Sequence, residues 1–183
     1  MDAALAPLVV PALLKLDLGC GTRKQEGFVG VDCRDFDGVD WIINIGRDRW
    51  PFDDASAGEA YCSHVLEHLT QPERCHFFNE LYRVMAPGAR ITIITPHWAS
   101  NRAYGDPTHV WPPVSEMAFY YLDASWRATQ APHVCDLLTC DFRNPIWNYS
   151  GHPSLNGRSA EYQQYALTNF KDAALDLITT LVR

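Results

Sequence analysis

Leucines at positions 14, 16 and 18 flank Lys15 and Asp17, and two glycines, Gly19 and Gly21, follow one residue apart. The run predicts a buried strand over residues 13–18 that ends in a tight turn at the carboxyl edge of a sheet, where open α/β folds bind ligands. Glycine permits positive φ and a close approach of backbone to ligand. Amide N–H groups freed in such a turn can hold a carboxylate or phosphate. A second short apolar run, Phe28-Val29-Gly30-Val31, ends in Asp32. Val39 to Ile45 is rich in β-branched and aromatic residues and predicts a third strand; Glu59 to Ser63 predicts a fourth. Ser63 is placed to cap a short helix beginning at His64.

Thr70-Gln71-Pro72-Glu73 is a capping box with an early proline, a helix start. Phe77, Phe78, Leu81, Val84 and Met85 then recur at helical spacing, and Pro87-Gly88 stops the helix. Arg90 to Thr95 is nearly all apolar, the pattern of a central parallel strand buried on both faces. Beyond Pro96 the pattern changes to a long aromatic loop over residues 97–113, of a length that is usually functional or disordered. A short helix is expected from Ser115 to Leu122. His133 to Cys140 and Pro145 to Tyr149 predict strands of an antiparallel hairpin. Tyr162, Tyr165, Phe170, Ala173, Leu177 and Leu181 predict an amphipathic C-terminal helix. Residues 1–11 read as a short surface arm.

Two parallel strands, with glycine after the first and an acid after the second, suit a ribose, whose hydroxyls the acid can accept. A dinucleotide fingerprint would place a third glycine three residues beyond Gly21, but Lys24 stands there, and no Gly-Lys-Ser/Thr phosphate loop is present. Leu16-Asp17-Leu18-Gly19-Cys20-Gly21 resembles motif I of the class I S-adenosylmethionine-dependent methyltransferases. Three further stretches fit that family in order. They are Gly30-Val31-Asp32; Trp50-Pro51-Phe52 with Ser63-His64-Val65-Leu66-Glu67-His68; and Leu81 to Ala89 leading into Ile91 to Ile94. The resemblance covers residues 12–97.

It implies an α/β fold, Rossmann-like, with a mostly parallel twisted sheet, helices on both faces and closing antiparallel strands. It also implies S-adenosyl-L-methionine as cofactor. One domain is expected over residues 1–183, with 12–97 the donor-binding half and 98–183 the acceptor side. The donor residues it points to are Asp17, Gly19, Cys20, Gly21, Asp32, Asn44, Ile45, Ser63 and His64. Two positions depart from the family. Asp17 and Asp32 are only fifteen positions apart, where the family has a full helix, so Thr22 to Gly27 forms a turn or a single helical turn. Arg23 and Lys24 then lie near the methionine end of the donor or are plain solvated charges. Asn44 stands where an acid often approaches the adenine amino group; its side-chain oxygen can accept the same bond. Trp50-Pro51-Phe52 either walls the adenine or packs beneath the sheet.

Methyl transfer from a sulfonium mainly requires the acceptor to be brought to the methyl and water to be excluded. A base is needed only where the acceptor carries a proton. His97, His109 and Asp106 are the catalytic candidates, with His64 a structural or donor-side residue. Asp106 and His109 form either an orienting pair or a bond internal to the loop. His97, Asp106 and His109 also have the chemistry of a metal set, but nothing in their spacing demands one, and no metal is expected. Trp98, Tyr104, Trp111, Phe119 and Tyr120 either line an acceptor pocket or pack as lid and core.

A formal net charge of −7 disfavours nonspecific nucleic-acid binding. The place after the fourth strand reads Ser63-His64-Val65-Leu66 rather than the Asp/Asn-Pro-Pro-Tyr/Phe of DNA amino-methyltransferases, so no DNA partner is expected. The acceptor is expected to be a small molecule methylated on O, N or S. Two alternatives stay open: an enzyme acting on protein or tRNA, which a basic patch of Arg23, Lys24, Arg47 and Arg49 would favour, and a non-catalytic donor-binding module. Six scattered cysteines without a Cys-x-x-Cys pair give no disulfide framework, and Cys20, Cys33 and Cys62 are expected as buried thiols. The N-terminal stretch lacks the basic residues of a signal peptide and no run is long enough to span a bilayer, so a cytoplasmic protein is expected. The sequence sets no oligomeric state.

Overall fold

The computed structural model describes residues 12–183, so the arm expected over 1–11 lies outside the described residues. Seven strands form one sheet: β1 (Leu14–Leu18), β2 (Val29–Asp32), β3 (Trp41–Ile42), β4 (Ala57–Ser63), β5 (Met85–Pro96), β6 (Ile146–Gly151) and β7 (Ala174–Val182). Their order is β3-β2-β1-β4-β5-β7-β6. The first five are parallel, and β7 runs antiparallel to both β5 and β6. Leu16, Leu18, Val31 and Ile91 are fully buried, as parallel strands require when both faces are covered.

Helix α1 (Gln71–Val84) begins as the capping box predicts. The Thr70 amide and hydroxyl both donate to the Glu73 carboxylate, at 2.7 and 2.6 Å. The face carrying Phe77, Leu81 and Val84 is wholly buried in the core. The helix ends three residues before Pro87, because Met85 pairs with Ala57 and is extended from there. Four shorter helices follow: α2 (Arg102–Gly105), α3 (Glu116–Tyr120), α4 (Ala124–Gln130) and α5 (Ala160–Asn169).

Several sequence expectations are corrected. The third strand keeps only Trp41 and Ile42 of the residues 39–45 expected, since Asn44 turns the chain: its Oδ1 accepts the Gly46 amide and its own amide donates to Asp48. Residues 133–140 form no strand. The first part winds into turns, in which the amides of Val134, Cys135, Leu137 and Leu138 bond to carbonyls three or four residues back, and side chains meet the rest: Asn79 receives the Thr139 amide and donates to the Leu137 carbonyl, and Arg127 donates to the carbonyls of Leu138 and Cys140. The C-terminal helix stops at Asn169, and Leu177 and Leu181 lie in β7, between two partner strands. Ser63 caps no helix. His64 has φ +57°, and the 3-10 turn at Leu66–His68 starts after Val65 without a side-chain cap. Cys20 and Cys62 are buried as expected, whereas Cys33 is exposed; all six cysteines are free thiols. Trp50 and Phe52 are core residues rather than cleft walls.

Candidate functional site

The glycine turn after β1 is tied to the end of β2. Gly19 and Gly21 have φ of +77° and +53°. The amides of Gly19 and Cys20 both donate to the Val31 carbonyl, at 2.7 and 3.1 Å, and the Gly21 amide donates to Asp32 Oδ2 at 2.9 Å. The amides that the sequence suggested for a ligand are therefore committed to β2. Gly19 is required here for space as well as for φ: a Cβ would lie 2.2 Å from Val65 Cγ2.

The short crossover from β1 to β2 contains no helix, only turns. Asp17, 3% exposed, holds it by accepting the Gln25 amide at 2.7 Å. Burial raises the Asp17 pKa, against the Gln25 bond and the Lys24 charge. Lys24 does not reach the donor side. Its stem lies over Gly30, where a Cβ would meet Lys24 Cδ at 2.5 Å, and its ammonium pairs with Asp40 at 2.9 Å. Arg47 and Arg49 lie beside Glu73 and Glu80 with side chains 70% and 73% exposed, and Arg23 is exposed.

At the carboxyl ends of β1, β2 and β4 lies a cleft of about 610 Å³, within the usual range for small-molecule sites. Of the donor residues expected from sequence, Gly19, Asp32, Asn44, Ile45 and His64 line it. Asp17, Cys20, Gly21 and Ser63 do not. Cys20 sits beneath the turn, its thiol pushed up to about 11 by burial and by the charges of Asp17 and Asp32, so it stays a neutral thiol. Ile45 is held from below: Trp50 Nε1 donates to its carbonyl at 3.1 Å, and the Trp50 ring meets Phe77 edge-on at 5.6 Å. Arg34, Phe36, Leu69 and Thr108 also line the cleft, as do Val65 of the family stretch and Cys33, which the sequence suggested only as a buried thiol.

His64 also lines a second cavity of about 360 Å³ that holds Glu67, His68, Arg102, Asp106 and His109. His64 Nδ1 lies 3.0 Å from Glu67 Oε1, a bond that raises the imidazole pKa against the effect of burial. His109 and Asp106 thus come together beside the first cleft, although His109 Nε2 is 3.9 Å from Asp106 Oδ2, too far for a hydrogen bond. Asp106 instead accepts the Thr108 amide and hydroxyl, at 2.8 and 2.7 Å.

His97 stands elsewhere. Its Nδ1 accepts the Ala99 amide at 3.2 Å and its Nε2 donates to Glu116 at 3.1 Å. The same carboxylate accepts Trp98 Nε1 and the Tyr149 hydroxyl, at 3.1 and 3.0 Å. His97 lines a cavity of about 520 Å³ with Trp98, Tyr104 and Phe170 that shares no residue with the cleft at the ends of β1, β2 and β4. A set of His97, Asp106 and His109 therefore does not assemble. The five aromatic residues weighed as a pocket do not gather either: Trp111 is exposed, Phe119 is core, and Tyr120 packs on Trp126.

Glu67 and His68 are the site residues that sequence reasoning passed over. Their signal was present, since His64, Glu67 and His68 recur at i, i+3 and i+4 straight after a strand's carboxyl end. The loop carrying His109 is fixed to them by backbone bonds. Val110 donates its amide to the Glu67 carbonyl at 2.7 Å. Arg74 donates to the carbonyls of Leu66, Pro112 and Val110, at 2.9, 2.8 and 3.3 Å.

Residues 31–93 match the family model described as "Methyltransferase domain". A search of curated proteins finds no match. Among solved structures, the chain is similar to an S-adenosylmethionine-dependent methyltransferase from Archaeoglobus fulgidus. The two share 19% identity with a TM-score of 0.66, over 94% of this chain and 87% of that one. A Methanosarcina mazei protein described in the same terms shares 14% identity with a TM-score of 0.55, over 92% and 91% of the two chains. The chain has the class I, Rossmann-like fold of the S-adenosylmethionine-dependent methyltransferases, and its residues 31–93 are similar to the methyltransferase-domain family.

Proposed function

We propose that the chain methylates a small-molecule acceptor held in the cavity of about 360 Å³ beside the donor cleft. The observation that carries this is the sharing of His64 and His68 by both cavities, so that a molecule in one borders a molecule in the other. The residues of the cleft fit the donor. Asp32 uses one bond per carboxylate oxygen, to Gly21 and Arg34, and keeps lone pairs for the ribose hydroxyls. Asn44, Ile45 and Leu69 would border the adenine, and the Gly19–Val65 edge would border the methionyl chain. When bound, the donor supplies an electrophilic methyl on a sulfonium sulfur. The chain contributes orientation and exclusion of water, the main requirements of the reaction.

The net charge of −7 speaks against a tRNA acceptor. A cytoplasmic location is part of the proposal, in keeping with six free thiols. Among the described residues no helix is long and apolar enough to cross a membrane. Calorimetric titration with S-adenosylmethionine, and separately with NADH, tests the donor reading. Binding of the first alone is expected; binding of neither would leave a fold without its ligand.

A further inference from the structure

Glu67 is 4% exposed, and its Oε2 has no hydrogen-bond partner among the described residues. A buried carboxylate oxygen left so is costly unless a ligand meets it. The other oxygen is already held by His64. The two histidines beside it are set in one tautomer. His68 Nδ1 lies 3.1 Å from Thr108 Oγ1, whose own proton goes to Asp106, so the hydroxyl accepts and Nδ1 carries the ring proton. His109 Nδ1 lies 3.2 Å from the Ala103 carbonyl, which can only accept. Each ring therefore keeps its lone pair on Nε2. Imidazoles anchored through one N–H on a protein oxygen, with the other nitrogen left basic, are the arrangement found at metal-binding histidines.

One ligand atom from each of Glu67, His68 and His109 lies within 4.8 Å of the other two. The His68 and His109 rings meet edge to face at 4.8 Å. Ligands of a common ion at about 2.1 Å stand about 3 Å apart, so the three need only a small side-chain adjustment to converge. We propose that Glu67, His68 and His109 bind a divalent transition-metal ion where the acceptor cavity meets the donor cleft, with open coordination positions for an acceptor oxygen. Two imidazoles favour an ion of the iron, cobalt or zinc kind over magnesium or calcium. Three protein ligands leave positions for substrate. An ion there would lower the pKa of a bound hydroxyl, so that its proton passes to solvent, the oxygen forms the new bond to the methyl carbon as the S–CH3 bond breaks, and the donor leaves as a neutral thioether. Arg102 lines the same cavity with its guanidinium paired to Asp176 at 3.0 Å. The acceptor class is then a small hydroxyl compound, methylated on oxygen. This assignment of acceptor rests on the methyl-transfer reading above; the ion site itself does not.

Co2+ is the probe, because nitrogen and oxygen ligation gives weak visible bands whereas a thiolate site gives intense near-ultraviolet charge transfer. Titration of the full chain is expected to give one Co2+ per chain with the weak bands alone. Glu67→Gln and His109→Gln are each expected to weaken binding tenfold or more, while His152→Gln, which removes an exposed histidine elsewhere, changes it less than twofold. Should Glu67→Gln fail to fold by circular dichroism, His109→Gln decides. Absence of Co2+ binding, thiolate bands, or affinity unchanged in the ligand variants overturns the ion site. A parallel titration with S-adenosylmethionine separates the two readings: donor binding without Co2+ sinks the ion site alone, and Co2+ binding without the donor sinks the methyl-transfer reading.

Discussion

Asp32 Oδ2 accepts the Gly21 amide at 2.9 Å, so the acid at the end of β2 also closes the glycine turn at the end of β1. Its other oxygen accepts the Arg34 amide at 3.0 Å. Asp32→Ala is expected to weaken S-adenosylmethionine binding by roughly 1–3 kcal/mol, the range for groups left without a charged partner. Because the Gly21 amide loses its acceptor too, the melting temperature falls in the same variant. Calorimetry and thermal unfolding measure the two effects; unchanged affinity would mean that the ribose is held elsewhere.

Gly19→Ala brings a methyl against Val65 Cγ2 at 2.2 Å. The expected result is a lower melting temperature and lost donor binding. Val65→Ala in the same chain should relieve the collision but not the left-handed backbone, which still costs about 1–2 kcal/mol. Partial recovery of thermal stability in the double variant is therefore the prediction. Full recovery, or none, would show that the steric and backbone contributions have been misassigned.

Glu116 gives an acid-dependent stability. Burial pushes its carboxyl up, but the bonds from His97, its own amide and Tyr149 outweigh this and hold it at about 2, below its ordinary 4.5. A carboxyl whose folded pKa is depressed stabilises the protein above its unfolded value. That stabilisation is lost as the pH falls from about 4.5 towards about 2. Glu116→Gln should lower the melting temperature at pH 6 and show a smaller further loss than the unaltered chain between pH 5 and pH 3. Affinity for the donor should stay within about twofold, since the His97 cavity is separate from the donor cleft.

Arg74 joins the turn after β4 to the loop carrying His109 through three carbonyls. Arg74→Met keeps the apolar stem and removes the donors, at a cost on the order of 2 kcal/mol. Amide exchange at Val110, whose N–H is held by the Glu67 carbonyl, should accelerate. Methyl transfer to a hydroxyl acceptor should slow through kcat/KM while the Kd for the donor is little changed. Equal loss of donor affinity would place Arg74 in the support of both cavities.

The glycine turn between β1 and β2 and the start of α1 were legible because their signals are local. A strand, two glycines and an acid within nineteen residues need no distant partner to be recognised, and the Thr70–Glu73 box is a contact across three positions. β7 was misread for a geometrical reason. Ala173, Leu177 and Leu181 are four apart, and a spacing of four serves both a helical face and one side of a strand. The β-branched run Ile178-Thr179-Thr180 between them favours the strand. Residues 133–140 deceived in the opposite way: their first amides close local turns, and the groups from Leu137 to Cys140 find the side chains of Asn79 and Arg127, which no local pattern reveals. The meeting of His109 with Glu67 and His68 depends on the Arg74 clamp across some forty positions, and it could not be read from spacing alone.

β7 pairs with β5 along seven residues, from Arg90 opposite Val182 to Pro96 opposite Asp176. During translation the ribosome extrudes β1 to β5 long before residues 174–182 emerge. Until then β5 offers an open row of backbone donors and acceptors beside Ile91 and Ile93, the kind of edge that recruits other nascent chains. The protein is most exposed to mispairing in that interval, and a chaperone that shields β5 would serve it more than one that assists the finished sheet.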